Sequence, residues 1–293
     1  MTQHLVEHFD HFVVPVDDIV AAEEFYMDVF KCKFALNSRG EPMRMGLNVH
    51  HRMANAVAHT FFIVAGRRVG VYLQDEPRAK PDTVYGAPTC SFESTPEGLD
   101  EITAILKARN AQYEGPDDDD SPIAARSLYF NDPAGNHFHL YVPRDGGSNA
   151  ETLMDVNGPL TGMGYLQIEA PDLEKAVRFY TDIFALETAS EGVNKRLGAP
   201  ETTLKLPSGQ CLILTGVPFS PKGMQLSRKI AGPHLAFYVP AERWEPLIER
   251  LAAANIGHAD RAAEIKGRQA GDLDTYLDDP SGYVIQLKGA LET

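Results

Sequence analysis

Phe25-Tyr26-Met27-Asp28-Val29-Phe30 returns 154 residues later as Phe179-Tyr180-Thr181-Asp182-Ile183-Phe184. Each copy follows an acidic turn, Asp17-Asp18 or Asp172, and that turn follows a short apolar run. A second pattern, Tyr129 to Asn136 (YFNDPAGN), returns as Tyr276 to Tyr283 (YLDDPSGY), 147 residues on. Two unrelated patterns recurring at nearly one spacing mark a tandem duplication, and a duplication constrains the fold more than any local propensity.

A chain of 293 residues has room for two domains, each with its own core. No apolar stretch approaches membrane-spanning length, and the N-terminus MTQHLVEHFD lacks the basic and apolar regions of a secretory signal. Cys32, Cys90 and Cys211 are scattered and never form a CxxC, which suits a reducing, cytoplasmic compartment better than a disulfide framework. A net charge of −14 argues against nucleic acid and anionic membranes as partners.

Each half divides again. His11 to Val16 reads as a strand, and Ile19, Ala22, Tyr26 and Val29 share one helical face behind it. Thr60 to Gln74 reads as a hairpin around Gly66. A second unit begins near Gly86, with a strand at Thr89 to Glu93 and a helix turning Leu99, Ile102 and Leu106 inward. It closes with Ser127 to Phe130, a turn at Asp132-Pro133-Ala134-Gly135 and a strand from Asn136 to Val142. The second half repeats the order. Tyr165 to Ala170 is the strand, Leu173, Ala176, Val177 and Tyr180 line the helix, and Thr203 to Leu206 with Cys211 to Thr215 form the hairpin. The last unit has a strand at His234 to Val239, a helix with Trp244, Leu247, Ile248 and Leu251 inward, and a turn at Asp279-Pro280-Ser281-Gly282. The join between halves falls in Arg144 to Gly162, rich in Gly, Asn and Asp. The expected fold is therefore α+β, with four strand–helix–strands units in two tandem domains, 1–145 and 160–293. Asp117 to Asp120 reads as a solvated like-charge loop. The alternative, a calcium site, lacks the glycine and distal glutamate of an EF-type loop. His50-His51 and His59 read as surface residues, and no G-x-S-x-G, P-loop or dinucleotide fingerprint occurs.

A strand opening on His, a turn acid, a helix-borne Phe-Tyr-x-Asp-x-Phe and a D-P-x-G hairpin together resemble the vicinal oxygen chelate superfamily. That group contains glyoxalases, bleomycin-resistance proteins and type I extradiol dioxygenases. The likeness covers nearly the whole chain. It implies βαβββ modules whose mixed sheets curl into cups, with metal ligands on the first and last strands of a module.

Carried onto this chain, the first-strand position is His11, Thr89, Tyr165 and His234 in modules one to four. The last-strand position is His139 in module two and Gln286 in module four, and modules one and three offer Tyr72 and Ile213. If module one pairs with two, and three with four, the donors are split: His11, His139 and Thr89 in one cup, His234, Gln286 and Tyr165 in the other. If one pairs with four, His11, His234 and Gln286 share a cup, and the other holds Thr89, His139 and Tyr165. The second arrangement gives one full site beside one vestigial site and is the simpler.

Four modules in one chain resemble the extradiol branch. The resemblance implies a ring-cleaving dioxygenase of aromatic degradation, acting on a catechol or hydroquinone, with Fe(II) as the divalent metal and a homo-oligomeric assembly. Tyr276 resembles the tyrosine that contacts a substrate hydroxyl. One departure stands out. Extradiol enzymes use two His and a carboxylate, and here Gln286 stands at the carboxylate position. An amide oxygen can ligate but carries no charge. Two alternatives follow: a glyoxalase-like lyase or isomerase, and a metal-free protein that binds an aromatic ligand in the cup.

Overall fold

The computed structural model describes residues 4–36, 40–45, 59–74, 79–119, 121, 123–144, 158–218, 234–258 and 273–289. Module one is β1 (His8–Val16), α1 (Ile19–Val29), β2 (Lys33–Phe34), β3 (Arg44–Met45), β4 (His59–Val64) and β5 (Arg67–Leu73). Module two is β6 (Thr89–Ser94), α2 (Pro96–Ala108), β7 (Tyr113–Asp118), β8 (Ala124–Asn131) and β9 (His137–Pro143). Module three is β10 (Leu160–Glu169), α3 (Leu173–Phe184), β11 (Glu187–Asn194), β12 (Ala199–Lys205) and β13 (Cys211–Thr215). Module four is β14 (His234–Val239), α4 (Ala241–Ala253), β15 (Asp274–Asp278) and β16 (Val284–Gly289), with 259–272 outside the described residues.

The acid before each repeated helix is its N-cap. Asp18 accepts from the backbone N–H groups of Val20 and Ala21 at the start of α1, and Asp172 accepts from that of Lys175 in α3. An N-cap satisfies donors that the first helical turn leaves over, and its loss typically costs about 1 kcal/mol. α2 starts the same way, with Thr95 as cap and Pro96 at the first helical position.

By compactness the chain divides into two units, Met1–Phe12 with Gln167–Thr293, and Val13–Leu166. In the first, β15-β16-β14-β1 are neighbours in one sheet and β11-β12-β13-β10 in another. In the second, the orders are β1-β5-β4-β2, with β3 on β4, and β10-β6-β9-β8-β7. β1 and β10 thus contribute one end to each unit. The sheets are mixed: β14 runs parallel to β16 and β6 to β9, whereas the closing hairpins are antiparallel. The fold class is α+β, as the repeats predict.

The two recurring motifs meet inside each unit. The Tyr26 hydroxyl donates to Asp132 Oδ2 at 3.1 Å, and the Tyr180 hydroxyl to Asp279 Oδ2 at 2.9 Å. Both carboxylates also organise their turns. Asp132 Oδ1 accepts from the backbone of Ala134 and Asn136, and Asp279 Oδ1 from that of Tyr283. Gly135 and Gly282 sit at φ of 86° and 87°, the left-handed region that admits glycine without strain. Around Tyr26 lie Phe30, Phe62 and Phe138, and Phe184 and Phe237 surround Tyr180.

Some expectations are revised. β10 begins at Leu160, inside the stretch read as a join. Asp117 and Asp118 end strand β7 rather than lying in a loop, and Asp119 is buried against the Ser127 hydroxyl. His59 is not a surface residue. It is buried on β4, edge-on to Phe61, because it continues the apolar alternation of that strand. His50 and His51 lie outside the described residues. Cys32 and Cys90 are buried and none of the three cysteines is in a disulfide, and burial pushes the Cys32 thiol up to about 12. Among the described residues no helix is long and apolar enough to cross a membrane.

Burial pushes the Asp279 carboxyl up from 3.8 to about 7, against the lowering effect of the Tyr180 hydrogen bond. The folded chain therefore holds a proton that the unfolded chain releases, and stability falls as pH rises between those values. Asp279→Asn should flatten the fall in thermal midpoint between pH 4 and pH 8, read by circular dichroism. An unchanged slope in the variant would mean this carboxyl does not set it.

Candidate functional site

β1 and β14 bring two imidazoles together. His11 Nε2 and His234 Nε2 lie 3.0 Å apart, with the rings edge to face at 5.1 Å between centroids. His11 Nδ1 is 2.5 Å from Asp10 Oδ1, and Lys288 Nζ stands 3.8 Å from the same oxygen. A carboxylate at Nδ1 holds the proton there and turns the Nε2 lone pair outward. His234 is also edge-on to Tyr276, at 5.9 Å between centroids. On β14 and β16, Gln286 stands opposite Ala236, so it shares a face with His234 two residues earlier. On β15, Tyr276 stands opposite Gln286. His11, His234, Tyr276 and Gln286 are each no more than 4% exposed.

Gln286 Nε2 donates to both oxygens of Asp274, at 2.9 and 2.8 Å. That contact fixes the sense of the amide, since the reverse orientation would set a carbonyl oxygen against a carboxylate. Oε1 is thus the end turned away from Asp274.

Does this set fit a divalent ion? Two imidazole nitrogens bound side by side at about 2.1 Å, at a right angle, would lie about 3.0 Å apart. The His11–His234 separation equals that value, which is also the length of a hydrogen bond from one ring N–H to the other ring nitrogen. Two neutral nitrogens and an amide oxygen make an acceptable donor set for several divalent metals. Among the described residues, no group of three His, Cys, Asp or Glu side chains could hold a metal, so a third protein ligand would have to be of another type, such as the Gln286 amide oxygen or the Tyr276 phenol on the neighbouring strands.

The second unit places other side chains at the repeat-equivalent positions. Tyr165 stands for His11, Thr89 for His234, His139 for Gln286 and Ser127 for Asp274. The Ser127 hydroxyl donates to Asp119 Oδ2 at 2.6 Å, so its oxygen is left to accept from His139 Nε2 at 2.8 Å. His139 Nδ1 then accepts from the Tyr165 hydroxyl at 2.6 Å. Tyr129 stacks on His139 with ring planes 2° apart and centroids at 4.1 Å. Both nitrogens of His139 are thus engaged by protein groups in a chain of hydrogen bonds from Asp119 to Tyr165.

The model of the Glyoxalase/Bleomycin resistance protein/Dioxygenase superfamily matches residues 8–140 and 162–287. The chain belongs to this superfamily. Among solved structures, a Bacillus subtilis protein described as a candidate dioxygenase is similar over 98% of this chain and 86% of its own, with a TM-score of 0.67 and 14% identity. Glyoxalase I from Zea mays is similar over 97% of this chain and 92% of its own, with a TM-score of 0.58 and 14% identity. At such identities the likeness is one of fold. No curated protein sequence matches the chain.

The resemblance read from the sequence singles out the first and last strands of each module, and these carry His11, His234 and Gln286. Asp10 and Asp274 escape that reading. The available signals were an acid beside His11 and an acid two residues before Tyr276, which strand alternation turns to the same face.

The closed network around His139 should be structural. His139→Ala strands the Tyr165 and Ser127 hydroxyls and should lower unfolding free energy by about 2–4 kcal/mol. Ser127→Ala should cost less, about 1–2 kcal/mol. Urea denaturation measures both, and a neutral His139→Ala would show that the network carries no stability.

Proposed function

We propose that His11, His234 and Gln286 bind a divalent metal, and that the protein is a metal-dependent enzyme acting on a small aromatic substrate with adjacent or para hydroxyls. The favoured reaction is ring cleavage by a dioxygenase that uses Fe(II). What carries the reading is the 3.0 Å approach of two imidazole nitrogens that come from strands more than two hundred residues apart. Each ring brings its Nε2 to the same buried place, and a divalent cation there would take both nitrogens as ligands.

When bound, such an ion supplies positive charge that draws two substrate oxygens to one point and lowers the pKa of a hydroxyl. The chain's own residues do the rest. Asp10 holds His11 in the tautomer whose Nε2 faces His234. Tyr276, beside His234, has a phenol that can hydrogen-bond a substrate hydroxyl or pass a proton to it. Burial of all four side chains keeps bulk water from competing. A cytoplasmic, reducing setting belongs to the same proposal, since it would keep iron in the ferrous state.

Gln286 supports a second reading. A neutral third donor leaves more positive charge on the ion than a carboxylate would, which suits Lewis-acid chemistry on a carbonyl or enediolate. The second candidate is therefore a glyoxalase-like lyase or isomerase.

Metal analysis after anaerobic purification and reconstitution with Fe(II), Mn(II) or Zn(II) should give one ion per chain, and His11→Ala and His234→Ala should each abolish it. Oxygen uptake with a panel of catechols and hydroquinones separates the two enzymes. Stoichiometric metal without uptake selects the lyase, and absence of metal after reconstitution leaves a cup that binds its ligand by hydrogen bonds alone.

A further inference from the structure

A two-histidine, one-glutamine donor set lacks the negative charge that a carboxylate ligand brings. Two buried carboxylates nevertheless stand one bond further out, Asp10 on His11 and Asp274 on Gln286. Asp274 is opposite Lys288 on the neighbouring strand, two residues from the Tyr276–Gln286 pair and on the same face. Its two oxygens take the same amide nitrogen, so the Gln286 side chain is held in one sense. Lys288, opposite Asp274 and with its Nζ 3.8 Å from Asp10 Oδ1, is positive charge that the structure already places beside these carboxylates. The second unit builds the same brace from other residues: Ser127, at the place of Asp274, holds His139, at the place of Gln286, and Asp119 stands behind it.

We infer that Asp274 is a positioning residue for the proposed metal: it holds Gln286 with Oε1 forward as a neutral ligand and, together with Asp10, returns from the outer rank the charge that the ligands lack. This rests on the metal-binding reading above. The inference divides the work of a ligating carboxylate between two residues. Gln286 supplies the oxygen, and Asp274 supplies the orientation and the charge. Asp274→Asn should keep an acceptor for the amide and remove only the charge. Asp274→Ala removes both.

The test is Mn(II) affinity of the full chain, read by electron paramagnetic resonance of free Mn(II), with circular dichroism to verify folding. Loss of an outer-rank partner typically weakens metal affinity 10–100-fold. Asp274→Asn should fall about tenfold and Asp274→Ala towards one hundredfold. The exchange variant Asp274→Asn/Gln286→Glu keeps the volumes and the hydrogen bond, with the donor reversed, and puts the carboxylate in the ligand set. It should bind Mn(II) more tightly than the unaltered chain, since a carboxylate oxygen suits Mn(II). It also serves if the single variants do not fold. Affinities of Asp274→Asn and the exchange variant within twofold of the unaltered chain, while His11→Ala loses binding, would overturn the inference and leave the metal reading standing. Failure of the unaltered chain to bind Mn(II), Fe(II) or Zn(II) would overturn both.

Discussion

A phenol buried on a carboxylate ties each unit together. Tyr26 reaches Asp132 across 106 residues and Tyr180 reaches Asp279 across 99. Each bond joins the helix of one module to the closing turn of the next, and each carboxylate also fixes the backbone of that turn. Buried in a low-dielectric core, such a bond is strong when made and costly to leave unmade. It has a further consequence for the sequence. The helix motif and the turn motif recur together because they are two ends of one interaction. Their unequal steps, 154 and 147 residues, differ by the seven residues by which the two spans differ.

With the helices and turns tied in this way, the remaining freedom lies in which first strands lie side by side. β1 is a neighbour of β14 in one unit, and β10 of β6 in the other. That arrangement brings His11 to His234, and sets Tyr165 in the same unit as Thr89 and His139. Duplication supplied equivalent positions, and the side chains at them diverged. One unit uses Tyr, Ser and Asp to close a hydrogen-bond chain through His139. The other points two imidazoles at each other and braces a glutamine behind them. The same backbone thus supports a saturated network and a candidate metal centre, which is how one fold comes to host unrelated chemistries.

The helices were legible because their apolar faces repeat at helical spacing and an acid or threonine caps each of the first three. Ile19, Ala22, Tyr26 and Val29 are all buried on α1, as are Leu99, Ile102 and Leu106 on α2. Strand β11 was not legible, since every residue from Glu187 to Val193 is exposed and an edge strand needs no apolar alternation. His59 looked like one more histidine in a polar stretch, and only the sheet shows it continuing the buried row of β4. At the candidate site, His11, His234, Gln286 and Tyr276 could be nominated from the family resemblance carried along the repeats. Asp10 and Asp274 could not, because a side chain that acts through a neighbour leaves no spacing of its own to detect.

The outer carboxylates matter because of what low dielectric does to charge. Moving a carboxylate from the ligand position to the next bond out lengthens its distance to a cation by a few ångströms. In water that would nearly erase the attraction, whereas between groups buried in the protein it is screened less. Asp274 at 4% exposure and Asp10 at 6% meet that condition. A glutamine ligand then need not mean a weak site. On the proposed reading an ion would be held by neutral atoms and balanced from behind them, so that substrate oxygens would meet a centre whose nearest neighbours carry no charge. A substrate that arrives as an anion is attracted to such a centre more strongly than to one already neutralised at contact distance.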